Sequence, residues 1–272
     1  MEVAPRLLAL DVGNTNVTIG VFEGDRLAHS WRLAALRERT ADELGIFVTR
    51  LFETAHVPIP ELAGIAVASV VPPLTRPIEE MCQRYFHHAA FVVDATNAGM
   101  PVRYNPITDV GADRIVNAAG AWEKYGRQSA VPLIIVDFGT GTTFDVVSSA
   151  GEYIGGVICP GINISAEALF QRAARLPRVD VRKPAGVIGQ NTVAAMQAGL
   201  FFGYVDLVDG LVRRIRAELD GGDRALVIGT GGLADVLSGE SRAIERVDEN
   251  LTLDGLRLIW QRTEHWRLKT AD

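Results

Sequence analysis

Lysine is nearly missing from this chain. Of 27 basic residues among 272, only Lys124, Lys183 and Lys269 are lysines, and none lies in a glycine-rich turn. The pattern G-x-x-x-x-G-K-[ST] is absent too, which excludes a P-loop nucleotide enzyme. Cysteine is as scarce: Cys82 and Cys159 are too few for a disulfide framework or a four-thiolate zinc site, and they read as reduced cytoplasmic thiols. His87-His88 beside Cys82 lacks the second ligand pair that a structural metal needs, and His29, His56 and His265 are isolated. No apolar run approaches the roughly 18 to 20 residues of a membrane helix. The opening MEVAPRLLALDVG has no basic flank or small-residue cleavage site, so export is not expected. A net charge of −6 offers no basic face to nucleic acid. These absences leave the small-molecule chemistry of a cytoplasmic protein, with 48% hydrophobic residues to build its core.

What is present is a repeat. Leu7–Asn16 (LLALDVGNTN) and Leu133–Thr143 (LIIVDFGTGTT) each run an apolar strand into aspartate, a residue, glycine, and then hydroxyl or amide side chains. Such a turn offers a carboxylate, free backbone N–H groups and short donors, a set suited to metal-bound phosphate. For a single Asp-x-Gly, a turn satisfying its own backbone is the better reading; the duplication favours function. An offset of 126 residues lays Asp11 on Asp137, Gly13 on Gly139 and Val21 on Val147.

The pattern predicts α/β architecture in two duplicated halves around a nucleotide cleft, with domains at 1–118 and 119–272. Strands are expected at 7–12, 17–23 and 26–33, the last two joined at Gly24-Asp25, and again at 132–137, 143–149 and 153–158. Thr40-Ala41-Asp42-Glu43 forms a capping box for a helix over 41–54. GIAVASVV (64–71) reads as a strand covered on both faces, followed by a helix over 77–86 and a strand over 90–93. Gly111-Ala112-Asp113-Arg114 should open a helix to about 125. Further helices are expected over 192–219 and 251–262, with a strand over 225–229 between them.

In the first turn, Asp11 could hold Mg²⁺ through water while Gly13, Asn14, Thr15 and Asn16 cradle phosphate. With no phosphate-loop lysine, a triphosphate must be balanced by metal ions, arginine and backbone dipoles, and Asp11 and Asp137 are the natural cation-holding carboxylates. Gly229-Thr230-Gly231-Gly232 at a strand end would let a ribose or base approach closely, although such turns also serve simply to link strand to helix. A dinucleotide-binding G-x-G-x-x-G does not fit there. Asp113, at a helix start beside Arg114, is expected to be kept ionised by the helix dipole and the neighbouring charge.

The motifs DVGNTN, GADR, DFGTGTTFD, GGVICPG, IGQNT and GTGG occur in this order over nearly the whole chain, and in this they resemble the type III pantothenate kinases. The resemblance implies a duplicated ribonuclease H-like fold of the actin-like ATPase class. It also implies ATP-dependent phosphorylation of pantothenate to 4'-phosphopantothenate, the first step of coenzyme A synthesis. Carried onto this sequence, it makes Asp11, Val12, Gly13, Asn14, Thr15, Asn16, Val17 and Thr18 the first phosphate turn, with Thr140 an ATP contact in the second. Gly229, Gly231 and Gly232 fall on the adenosine side. Asp137 would hold a monovalent cation, K⁺ or NH₄⁺. Tyr104, Gly111, Ala112, Asp113, Arg114 and Thr192 would contact pantothenate, with Asp113 the catalytic base. Gly141 stands where the family more often has alanine.

The resemblance further implies a homodimer. Phe201, Phe202, Tyr204, Leu207, Val208 and Leu211, at helical spacing, could bury such an interface, with Phe201 and Phe202 reading as core or subunit-contact residues. Two other readings are open: a regulatory paralogue of the same fold with little turnover, and a kinase for another small hydroxy acid, since pocket shape rather than motif chemistry fixes the acceptor.

Overall fold

The computed structural model describes residues 5–263, which leaves His265 and Lys269 outside it. The chain forms two compact units. The first holds the chain to Met100, Tyr104–Gly120 and the segment from Thr252; the second holds Pro101–Arg103 and Ala121–Leu251. The closing helix therefore belongs to the first unit, whereas a boundary at 118/119 assigns it to the other half.

In the first unit a five-stranded sheet runs β3-β2-β1-β4-β5, from β1 (Arg6–Val12), β2 (Asn16–Glu23), β3 (Arg26–Ala34), β4 (Leu62–Ser69) and β5 (Ala90–Val93). β1 pairs antiparallel with β2 and parallel with β4, so it is central, and Leu8, Ala9 and Leu10 are buried on both faces. β3 is an edge strand, and its exposure alternates with the pleat. The β2–β3 hairpin turns at Gly24, with φ +60°, a value that glycine adopts without penalty.

Helix α1 (Ala41–Thr54) starts where the capping box places it: the Glu43 amide donates to Thr40 Oγ1 and the Thr40 amide to Glu43 Oε2. Leu44, Val48 and Phe52, one turn apart, bury against the sheet, each contributing about 1.5–3 kcal/mol. Helix α2 (Pro72–Phe86) begins five residues earlier than expected. Pro72 and Pro73 occupy its first positions, where proline gives up an amide that has no helical partner anyway. Cys82, on this helix, is buried, and burial pushes its thiol up to about 12.

Two further helices complete this unit, α3 (Ala112–Ala121) and α7 (Leu251–Arg262). α7 seals the sheet through glycines that leave room for it. A Cβ at Gly64 would stand 2.5 Å from the Trp260 ring, and one at Gly20 3.0 Å from Leu253. Arg257, 8% exposed, pairs with Asp25 at 2.5 Å, and Thr252 Oγ1 donates to Asn117 Oδ1 at 2.7 Å.

The second unit repeats the plan. Its strands β6 (Leu133–Phe138), β7 (Gly141–Val147), β8 (Tyr153–Pro160), β9 (Leu226–Thr230) and β10 (Arg246–Val247) lie in the order β8-β7-β6-β9-β10. The sequence of antiparallel and parallel pairings matches the first sheet strand for strand. Shifting β1, β2 and β3 by 126 residues brings each to within about two residues of β6, β7 and β8, so the duplication is structural.

Three helices cover this sheet: α4 (Ile162–Arg172) and α6 (Ala234–Ser238), neither anticipated, and α5 (Thr192–Glu218). At 27 residues α5 is long and apolar enough to cross a membrane by length and composition, contrary to the sequence expectation, yet half of its most apolar window is buried within the protein. Of the two readings of the α5 stripe, core or subunit face, the structure gives the core. Phe201, Tyr204 and Val208 are buried in the core of this unit, and Phe202, Leu207 and Leu211 pack against it. The helical spacing identified an apolar stripe, and the sheet of the same unit covers it.

Candidate active site

In the first unit the site residues gather at the carboxyl ends of the parallel strands β1 and β4, where ligands bind in open α/β sheets. β1 ends at Asp11-Val12. Asp11 is half-buried, paired across to Thr18 on β2 and Ala68 on β4. The turn that follows is closed by the Gly13 amide donating to the Asn16 carbonyl at 3.0 Å, and it leaves Asn14, Thr15 and Asn16 exposed. Asn14 Oδ1 accepts from Arg37 Nη2 at 3.4 Å. Val12 and Val17 are buried in the core, so only their backbones can serve a ligand.

One hydrogen bond fixes the next component: the Val70 amide donates to the Val12 carbonyl at 3.1 Å, locking the exit of β4 to that of β1. Gly111 lies against Val70, its missing Cβ 3.5 Å from Val70 Cγ1 and 2.6 Å from Asp113 Oδ1. Any side chain there would displace the Asp113 carboxylate. The Ile115 amide donates to the Gly111 carbonyl, opening α3, and Asp113 Oδ1 accepts from the Arg114 amide at 2.7 Å. Asp113 is thus brought to the same sheet end as the Asp11 turn.

Desolvation acts on Asp113 against the two influences that the sequence shows. Burial pushes its carboxyl above the usual carboxylate range, against the opposing pull of the Arg114 amide and guanidinium. The helix start and the arginine are both present, but desolvation outweighs them. A raised value makes the carboxylate a stronger base. Arg114 is only 6% exposed, so its cation is held in a low-dielectric setting. Tyr104 is half-buried and falls in the same unit; Ala112 is buried.

In the second unit three segments meet at the end of β6. Asp137, half-buried, pairs with Thr143 on β7 and Thr230 on β9. Gly139 and Thr140 form an exposed turn, with the Gly139 amide donating to the Gly141 carbonyl at 3.1 Å. Gly161, which caps α4, donates to the Thr140 carbonyl at 3.2 Å, and a Cβ on it would overlap that carbonyl. Gly161 was not singled out as a site residue. The only hint was its place in the GGVICPG stretch, before a helix start without a side-chain cap.

Gly231 brings the third segment in. With φ +88° its backbone lies against Asp137 Oδ1 and Phe138, so the GTGG turn and the second aspartate turn are adjacent. The glycines of that turn differ. Gly229 is buried inside β9, where its bareness accommodates Ile244, whereas Gly232 is exposed and faces open space. Thr192 is the exposed first residue of α5, which Asn191 caps through Oδ1. Among the described residues no three His, Cys, Asp or Glu side chains cluster as a metal site.

Two aspartate turns lie on duplicated sheets, with the half-buried Asp113 and the buried Arg114 at the start of α3. A model described as type III pantothenate kinase fits residues 7–214. The chain belongs to that family. A type III pantothenate kinase from Myxococcus xanthus is 52% identical over 257 residues, covering 94% of this chain and 98% of its own. Another from Koribacter versatilis is 49% identical over 269 residues, covering 95% and 96%.

A solved Campylobacter jejuni structure, described as a candidate Baf family transcriptional activator, aligns with a TM-score of 0.60 at 19% identity, over 93% of this chain and 97% of that one. One from Listeria monocytogenes, described as a candidate N-acetylmannosamine kinase, gives 0.54 at 12%, over 95% and 99%. Such distant likenesses bear on the fold alone, and the fold of this type III pantothenate kinase is the duplicated actin-like one.

Proposed function

We propose that Asp113 and Arg114 handle the acceptor, and the two aspartate turns the nucleotide, in the reaction that family membership assigns: ATP-dependent phosphorylation of pantothenate. The observation that carries this reading is the placement of Asp113, a half-buried carboxylate beside the exit of β4 and next to the buried Arg114, with desolvation raising its carboxyl above the usual carboxylate range.

Asp113 aligns the hydroxyl of pantothenate and takes its proton as the phosphoryl group arrives. Because phosphoryl transfer is largely dissociative, the proton leaves late, and positioning with electrostatics supplies most of the rate. Arg114 faces the anionic or polar end of the acceptor, helped by Tyr104 and the Gly111 backbone, with Thr192 a further contact. Asn14, Thr15, Asn16 and Thr140 donate to phosphate oxygens from exposed turns, and Gly231-Gly232 leave space for the adenosine.

Asp137 fits a monovalent cation such as K⁺ or NH₄⁺: it is a half-buried carboxylate at a strand end, with glycine backbone where a side chain would overlap it. Asp11, half-buried beside an exposed turn, fits Mg²⁺ held through water. Such ions would offset the charge of the triphosphate in a chain poor in lysine.

The working form is a cytoplasmic homodimer. Support comes from Ile158, Leu169, Phe170, Val187 and Ile188, apolar side chains exposed within residues 158–188; Ile188 is 90% exposed.

The decisive experiment is an ADP-release assay on the purified chain. Release should require pantothenate, rise with K⁺ or NH₄⁺ and Mg²⁺, and vanish in Asp113→Asn while ATP affinity is retained. Full turnover by Asp113→Asn would overturn the assignment of the base.

A further inference from the structure

The turn proposed to hold ATP is fixed from behind by a buried carboxylate 16 to 19 residues further along the chain. Asp248, 9% exposed, follows β10, and its backbone is tied to the end of β9: its amide donates to the Gly229 carbonyl at 2.9 Å, and its carbonyl accepts from Thr230 Oγ1 at 2.7 Å. Thr230 is itself 1% exposed, so this pair of bonds sets how Gly231 and Gly232 leave the sheet.

The side chain of Asp248 gathers donors from elsewhere. Lys124 Nζ lies 2.6 Å and Tyr125 Oη 2.8 Å from Oδ2, and the Asn250 amide is 3.3 Å from Oδ1. Lys124 and Tyr125 occupy a π-helical turn, Trp122–Gly126, that extends α3, and such turns recur at functional sites. The Arg246 guanidinium covers the Tyr125 ring at 5.5 Å, so the phenol is held on both sides.

Asp248 is buried while Lys124 stands at the exposed rim, and a pair in that position adds little net stability. What it fixes is the geometry of the GTGG turn, which Asp137 confines from the other side.

We infer that Asp248 is a positioning residue for nucleotide binding, holding the Gly229–Gly232 turn in register through a hub with Lys124 and Tyr125. The inference rests on the assignment of this turn to ATP.

The test measures steady-state kinetics and direct ATP binding by equilibrium dialysis on the full chain, with melting temperature alongside. Asp248→Asn and Lys124→Met should each raise KM and Kd for ATP about tenfold, the scale of one bond to a charged group. The double variant should be no worse than either single, because both remove one shared interaction. Throughout, kcat and the pantothenate KM should stay within about twofold. Tyr125→Phe, which keeps the ring and the ion pair, should weaken ATP binding about threefold and remains informative if Asp248→Asn does not fold.

Gly232→Val tests the underlying assignment, since it adds bulk where the protein leaves open space. If Gly232→Val leaves ATP affinity unchanged, the turn is not the nucleotide turn and the inference falls with it. If Gly232→Val weakens ATP binding while the three hub variants lower only the melting temperature, the inference alone is overturned.

Discussion

Gly231 lies directly against the carboxylate of Asp137. Its φ of +88° is one that side chains rarely adopt, and an added Cβ would overlap Oδ1 and stand 2.8 Å from the Phe138 amide nitrogen. Gly231→Ala should therefore cost about 1–3 kcal/mol of backbone strain alone. A lowered melting temperature with an ATP KM raised at least about tenfold is expected; unchanged ATP kinetics would separate this turn from the nucleotide.

Burial of Asp113 sets a trade between activity and stability. Its folded value lies above its unfolded one, so the native state favours the protonated carboxyl. Stability should fall as pH rises from the ordinary carboxylate range through the elevated value, then level off. Above the elevated value the full cost of ionisation is present, and Asp113→Asn removes it. The variant should melt higher than the parent at pH 7, with the gap closing in acid, while kcat drops about 10²–10⁴-fold. Calorimetry at pH 4 and pH 7 checks the sign.

The same group should govern the acid limb of the rate profile. Because the base must be ionised, kcat/KM should rise with pH through a midpoint above that of an ordinary aspartate. A midpoint at or below the ordinary value would remove burial as the dominant influence.

Thr40→Ala tests a feature remote from the chemistry. It deletes the bond from the Glu43 amide at the start of α1 and should cost about 1 kcal/mol. Denaturant midpoints should shift while both KM values stay put.

Association can be broken on the surface. Ile188 and Phe170 are exposed apolar side chains of the second unit. Ile188→Asp or Phe170→Asp should turn a dimer into a monomer by sedimentation at micromolar concentration without lowering the melting temperature of the monomer. A parent that is already monomeric would remove the homodimer from the reading.

Local signals were legible in the sequence, and long-range ones were not. The capping box at Thr40 and Glu43 marks the first residue of α1, and the repeated Asp-x-Gly turn fixes two matching sheets through one offset. The helix start and Arg114 beside Asp113 are visible in the sequence, whereas the packing that desolvates the carboxyl is not. The apolar stripe on α5 was seen, but helical spacing does not tell which neighbour covers it. β10 is two residues long and carries no pattern. Lys124 and Asp248, 124 positions apart, form a pair that leaves no local trace.

The return of α7 to the first unit has a consequence for biosynthesis. The second unit is nearly continuous in the chain, so a ribosome delivers most of what it needs in a single stretch. The earlier half must wait with the floor of its sheet uncovered at Gly20 and Gly64 until Leu253 and Trp260 emerge. Nascent chains arrested before residue 252 should therefore expose a sticky amino-terminal half, the opposite of the usual order in which the leading part matures first.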